Sequence, residues 1–233
     1  MSFITPKGKG VFKLKSVLIT GAYSPLGHAI AEKFFKENYL VYGTSTRERE
    51  DGCFKTICVD IRDEKAVKEK LKDIDSLDVL VNNAGIFTVN APEALTLDDF
   101  DSVFDVNVKG MMLVTKYLLP VLKKSNGSIV NISSMNSLHP GFGGTSHYDA
   151  SKGAVSAYTR SLARESGLRV NALAPGLIKR KDLIKSDLAK HYESHSIAGM
   201  LDVKQLADSV FFLANSSGIY GQTLLQDNGY CLY

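Results

Sequence analysis

Cysteine is scarce in this chain of 233 residues: Cys53, Cys58 and Cys231 are an odd number with no CxxC spacing. They fit neither a disulfide framework nor a zinc-binding pattern, so the thiols read as small apolar residues in a reduced, cytoplasmic setting. Long apolar runs are missing too. None approaches the ~18 residues of a membrane span, so no membrane partner is expected. The opening stretch MSFITPKGKGVFKLK is basic but has no extended apolar segment, unlike a secretory signal. Excess charge is small: the formal net value is +3, with the charges dispersed, so no nucleic-acid partner is expected. Neither an internal repeat nor a linker-like Pro/Gly/Ser-rich stretch is visible. What is present is 44% hydrophobic residues and 23% charged ones. A chain of this size buries roughly 70% of its unfolded surface in one large domain and needs no metal or disulfide staple. The expected division is an N-terminal arm over 1–14 and a single domain over 15–233.

Short β-rich runs alternate with helical segments. The runs are Ser16–Thr20, Leu40–Thr44, Phe54–Val59, Leu77–Val81, Ser128–Ile132, Arg169–Leu173 and Gln222–Gln226. The early ones are nearly all apolar, as strands covered on both faces should be. Gly27–Asn38 sets Ile30, Phe34 and Phe35 at helical spacing, and Val103–Lys124 and Tyr148–Arg164 read as long helices. Such alternation implies right-handed crossovers and a mainly parallel, doubly wound α/β sheet of seven strands with helices on both faces. Only Arg47–Cys53 separates the second strand from the third, too little for a crossover helix, so a loop is expected there.

The first strand runs straight into Gly21-Ala-Tyr-Ser-Pro-Leu-Gly27 and then a helix. Glycines at such a turn let the backbone approach a pyrophosphate, and the helix N-terminus offers unpaired N–H groups. Alone the signal is modest. Four further motifs follow in order: Asn82-Asn83-Ala84-Gly85 after a strand, Asn107 within DVNVKG, Ser133-Ser134 closing IVNISS, and Tyr148-x-x-x-Lys152. Pro175-Gly176 follows the next strand. With this ordered set, the chain resembles the short-chain dehydrogenase/reductase family from about Lys15 to Tyr233, including members acting as 3-oxoacyl carrier-protein reductases. The resemblance implies a Rossmann-like fold and an NAD(P)(H)-dependent oxidoreductase acting on a ketone or secondary alcohol. It implies a homo-oligomer, tetramer or dimer, and carries over Asn107, Ser134, Tyr148 and Lys152 as catalytic residues. Cofactor contacts are expected from Gly21, Tyr23, Ser24, Leu26, Gly27, Thr46, Arg47, Asp60, Ile61, Asn83, Ala84, Gly85, Tyr148, Lys152, Pro175, Gly176 and Ile178. No metal is expected.

Reducing a carbonyl with hydride needs a held nicotinamide, a proton source and stabilisation of the oxyanion. Tyr148 and Lys152 lie one helical turn apart and share a face. An ammonium there would pull the phenol below its usual ~10 and reach the nicotinamide ribose. Ser134 can hydrogen-bond the substrate oxygen. The resemblance gives Asn107 a water that relays protons to the lysine. Singly, each also reads as packing, a solvated lysine, a cap or a turn former.

Pro25 replaces a glycine usual in this turn. It is tolerable if Ser24 caps the helix and Pro25 is its first residue, leaving the Leu26 and Gly27 N–H groups for phosphate. Met200, and Asn228 within Asp227-Asn228-Gly229, also depart from the family pattern and read as structural. The second strand ends Gly43-Thr44-Ser45-Thr46-Arg47 with no carboxylate before Glu48, which favours NADP(H) over NAD(H). Arg47 has a competing reading as an ion-pair partner within the acidic loop. Asp60 reads either as an adenine contact or as a helix cap. Residues 177–199 form the expected substrate lid. Lys179, Arg180, Lys181 and Lys185 make its first half basic, suiting a carboxylate, a phosphate or a carrier-protein arm, or simply a solvated amphipathic helix. His191 and His195 are spaced i, i+4 without an HExxH pattern. Asn136, His139 and Phe142 are candidate pocket residues. The expected substrate is a small carbonyl or alcohol compound, with 3-oxoacyl thioester reduction first. Sugar or polyol oxidation, reduction of a small diketone and a non-catalytic dinucleotide sensor are the alternatives.

Overall fold

The computed structural model describes residues 14–232, so the expected arm over 1–14 falls almost wholly outside the described residues. Seven parallel strands form one sheet in the order β3-β2-β1-β4-β5-β6-β7. They are β1 (Ser16–Ile19), β2 (Leu40–Ser45), β3 (Lys55–Cys58), β4 (Val79–Asn82), β5 (Ser128–Ile132), β6 (Arg169–Pro175) and β7 (Thr223–Gln226). Each overlaps its expected run, with ends shifted by up to a few residues. No helix joins β2 to β3, as the short spacing requires.

Helices cover both faces because strand residues alternate sides. Val17 and Ile19 of β1 face α1 (Pro25–Lys36) and α7 (Val203–Asn215), where Phe34, Leu206 and Val210 close the core. Leu18 faces the opposite layer, formed by α2 (Glu64–Leu71), α4 (Met111–Ser125) and α5 (Ser146–Ser166). Burying apolar residues on both faces stabilises by about 25 cal/mol per Å² and explains the continuous apolar runs. α1 starts where Ser24 caps it and Pro25 takes the first helical position. It stops at Asn38, whose φ of 62° ends the helix.

The expected helix over Val103–Lys124 is not one α-helix. α3 (Leu97–Phe104) gives way to a π-helical turn over Asp105–Gly110, and α4 follows. A π-turn inserts an extra residue into the spiral and shifts the facing of everything beyond it. α6 (Asp187–His195) lies in the segment between β6 and α7. Among the described residues no helix is long and apolar enough to cross a membrane.

One layer of the interior is polar. Asn82 and Asn131 sit side by side on β4 and β5, and Asn82 Nδ2 donates to Asn131 Oδ1 at 2.8 Å and to Thr115 Oγ1 on α4 at 3.0 Å. Asn131 Nδ2 donates to Thr159 Oγ1 on α5 at 2.9 Å. All four residues are buried. Two strands and two helices are thereby keyed to one another directly beneath the C-terminal ends of the strands.

Candidate active site

Three strand ends meet at the turn after β1. Thr20 Oγ1 accepts from the N–H groups of Asn83 and Ala84 at 3.0 and 2.9 Å, and Gly21 N–H donates to Thr44 Oγ1 at 3.1 Å. Asn83 Nδ2 donates to Thr20 O at 2.9 Å and Gly21 O at 3.1 Å. Gly21 has φ +63°, and a Cβ there would lie 3.0 Å from Ala84 Cα. A Cβ on Gly27 would come within 2.4 Å of Gly21 O. Both glycines are therefore required by close backbone approach. Ser24 Oγ accepts from Gly27 N–H at 3.1 Å. The Gly27 N–H thus goes to the cap rather than remaining for phosphate, and of the two expected donors only Leu26 N–H is left by the cap.

A crevice of about 360 Å³ opens at this crest, lined by Gly21, Ser24, Thr46, Asp60, Ile61 and Asn83 among others. It shares Ser24, Asn83, Gly85 and Ile86 with a cavity of about 510 Å³ that reaches Ser134, Tyr148, Lys152, Pro175, Gly176 and Ile178. The combined cleft crosses the β1/β4 boundary, where the strand order reverses. Open α/β sheets bind ligands at that point.

Several expected cofactor contacts sit elsewhere. Tyr23 shares a hydrogen bond with Thr56 Oγ1 at 2.7 Å and sets its ring against Phe54, so it faces β3 and lines neither cavity. Arg47 is exposed and also outside both linings, as is Gly27, which acts through packing. Asp60 does line the crevice. It is not the cap of α2, because Asp63 performs that task by accepting from Lys65 and Ala66 N–H at 2.9 and 3.1 Å. Asp60 instead holds Arg62 through paired contacts of 3.0 and 2.6 Å, and this guanidinium keeps its carboxyl below the usual range. Arg62 lines the crevice and was missed by sequence reasoning. Its position two residues after Asp60 was the available signal.

Ser134 follows β5, while Tyr148 and Lys152 stand on the first turns of α5. Lys152 is 5% exposed, its Nζ donates to Ile132 O at 2.9 Å, and it lies 5.8 Å from the centre of the Tyr148 ring. Burial pushes the lysine down to about 8 and the phenol up to about 12. The Ser134 hydroxyl opposes the rise at Tyr148, and the nearby Asp149 charge adds to it. This reverses the expectation that the ammonium lowers the phenol. Loss of water disfavours both charged forms and sets the direction at each. Phe87 packs edge-on against Tyr148, with centroids 4.8 Å apart.

Asn107 lies in the π-turn, buried, and its amide is fully engaged. Oδ1 accepts from Ile86 N–H at 2.8 Å; Nδ2 donates to Ile86 O at 3.0 Å and Ser151 Oγ at 3.1 Å. Its side chain thus pins the strand-end loop to α5 and does not line the cleft. Gly85 lies between it and the lysine: a Cβ there would sit 3.2 Å from Asn107 Oδ1 and 3.4 Å from Lys152 Nζ.

Asp149, next to Tyr148, gathers the loop after β5. It accepts from Asn136 Nδ2 at 2.6 Å, Gly141 N–H at 3.0 Å and Thr145 Oγ1 at 3.2 Å. Asn136 and Phe142 line the larger cavity; His139 does not. Leu177, Ile178, Arg180, Leu183 and Leu188, from the segment expected as a lid, also line it. His191 stacks near His195 and approaches the Tyr230 hydroxyl at 3.2 Å. Asn228, with φ 53°, donates to Gly199 O at 2.9 Å, a structural part as expected.

A sequence model of the family described as short chain dehydrogenase matches residues 15–191. Serine 3-dehydrogenase of Rhizobium radiobacter is 34% identical over 70% of this chain and 71% of its own length. The 3-oxoacyl-acyl-carrier-protein reductase FabG of Vibrio harveyi is 32% identical over 92% of this chain and 96% of its own. Among solved structures, ElxO with NADP bound superposes with a TM-score of 0.86 at 31% identity, covering 95% of this chain and 100% of that one.

Proposed function

The chain belongs to the short-chain dehydrogenase/reductase family, oxidoreductases of alcohol and ketone groups, and from that premise we propose that it is an NADP(H)-preferring reductase of ketones, or dehydrogenase of secondary alcohols, with Tyr148 as acid and base. One observation carries the reading. Tyr148, Ser134 and Lys152 line a cavity continuous with a crevice across the strand-order reversal. The crevice fits a dinucleotide: Gly21 keeps its floor free of side chain, and the start of α1 brings Ser24 and a positive dipole end to it.

A bound nicotinamide supplies or accepts the hydride. The remaining work falls to side chains. Burial keeps Tyr148 protonated at neutral pH, the form that donates to a developing alkoxide. Ser134, whose hydroxyl faces Tyr148, holds the same oxygen. Lys152, down to about 8, changes charge close to neutrality and suits replacing the proton that Tyr148 gives up. Asn107 acts by position, keeping the Gly85–Ile86 loop open beside the lysine.

The preference for NADP(H) rests on the hydroxyl-rich β2 end, whose Thr44, Ser45 and Thr46 line the crevice, on the absence of a carboxylate before Glu48, and on the NADP carried by the similar ElxO. Likeness to FabG favours a 3-oxoacyl thioester as substrate. Likeness to serine 3-dehydrogenase favours a small hydroxy acid. The presence of both Tyr148 and Lys152 speaks against a purely sensing role. The proposal includes a homo-oligomeric, cytoplasmic protein whose 177–199 segment covers the substrate; light scattering tests the first of these.

Tyr148→Phe is the decisive experiment. Turnover should fall by about 10²–10⁴-fold while cofactor affinity is retained. Near-normal turnover refutes the assignment. An affinity for NADH about tenfold above that for NADPH, ~1.4 kcal/mol, overturns the cofactor preference.

A further inference from the structure

The larger cavity is one-sided in charge. Among the described residues its lining holds two cations, Lys152 and Arg180, and no carboxylate. Lys152 is buried and bound to Ile132 O. Arg180 is different: it stands exposed in the wall contributed by 177–188, and Lys179, Lys181 and Lys185 flank it in sequence.

Asp182 pairs with Arg180 through Nε and Nη2, the Nε contact being 3.1 Å. An exposed pair of this kind contributes little to stability, but it orients the guanidinium. A guanidinium has five N–H donors, and this pairing leaves the Nη1 side for a second anion. The rest of the wall is mainly apolar, with Phe87, Met135, Phe142, Leu183 and Leu188.

We propose that the substrate carries an anionic group, a carboxylate or a phosphate, held by the Nη1 side of Arg180, with an apolar body against Phe142 and Leu183 and its reacting carbon at Tyr148. This rests on the carbonyl-reductase reading of the same site. Apolar walls reward area but do not orient a ligand, whereas a planar cation among the lining residues gives an anionic end one defined place to bind. Asp182 is then the positioning residue for Arg180.

The test compares 2- and 3-oxo acids with their methyl esters, and with acetoacetyl-coenzyme A as the phosphate-bearing arm, in the parent and in Arg180→Met. The parent should use an anionic probe over the neutral ester by about tenfold or more in kcat/KM. Arg180→Met should erase that preference by raising KM for the anionic probe by about tenfold more than KM for the ester, with cofactor Kd retained. The favoured anionic arm tells carboxylate from phosphate. Equal use of acid, ester and coenzyme A thioester by the parent overturns the proposal and leaves the reductase reading standing. So does an Arg180→Met defect that appears wholly as weakened cofactor binding, which assigns the arginine to the cofactor's phosphates. Failure of every probe despite tight cofactor binding counts against the reductase reading itself, and the proposal falls with it.

Discussion

Lys152→Met is expected to make the protein more stable near pH 7, less stable near pH 10.5, and inactive throughout. Burial takes the lysine from its ordinary 10.5 down to about 8. At ~1.36 kcal/mol per pH unit, that distance is about 3 kcal/mol. Below about pH 8 the ammonium is charged in both folded and unfolded chains, and the fold bears the whole burden of burying it. Between about 8 and 10.5 the unfolded chain holds a proton that the native one has released, so native stability climbs with pH. Above 10.5 both forms are neutral and the burden is gone. Methionine keeps the unbranched stem without the charge, but leaves Ile132 O without its 2.9 Å partner, a loss of roughly 1–3 kcal/mol. The variant should therefore lead by about 1 kcal/mol near neutrality, or roughly 2–4 °C in Tm for a chain of this size. It should trail by about 2 kcal/mol near pH 10.5, where only the lost hydrogen bond counts. Urea titrations of both proteins at the two pH values give the gap directly, because all other titrating groups are shared. A gap independent of pH would show that Lys152 is not a strained buried cation, and the argument would fail.

Two glycines offer a matched contrast. Gly27→Ala places a Cβ 2.4 Å from Gly21 O and 2.8 Å from Asn83 Nδ2, while Gly153→Ala meets nothing within 4 Å. The first should destabilise by about 1–3 kcal/mol and weaken cofactor binding in a fluorescence titration. The second, inside α5, should stabilise by up to about 1 kcal/mol; equal effects in urea melts would refute the packing account. Asp149→Ala releases three donors of the loop after β5 and should raise KM more than it lowers kcat. It also removes a charge that pushes Tyr148 upward, so the alkaline limb of the pH–rate profile should move to lower pH.

The sheet was readable because β1, β4 and β5 are buried on both faces, which leaves an unbroken apolar run in the chain. The site was readable because the order and spacing of Asn83, Ser134, Tyr148 and Lys152 survive without coordinates. Burial does not. A four-residue spacing from Tyr148 to Lys152 predicts a shared face and an attraction; it says nothing of the water both lose, which sets the direction at each. The π-turn escaped notice because DVNVKG has apolar spacing compatible with either spiral. Tyr23 sits beside the right turn, but its side-chain direction is set by Phe54 and Thr56, which are distant in sequence. The engagement of the Gly27 N–H follows from the cap itself: a Ser24 hydroxyl that caps α1 accepts from that donor.

The amide layer formed by Asn82, Asn131, Thr115 and Thr159 has a price in plasticity. Leucines slide past one another with small penalties, but an amide that slips by one position strands its donors away from water, so α4 and α5 each have a single permitted seat on the sheet. Since α5 carries Tyr148 and Lys152, their alignment is inherited from a stratum that lines neither cavity. Drift in the 177–199 segment and outer surfaces can then alter the cavity lining while Tyr148 and Lys152 stay in place.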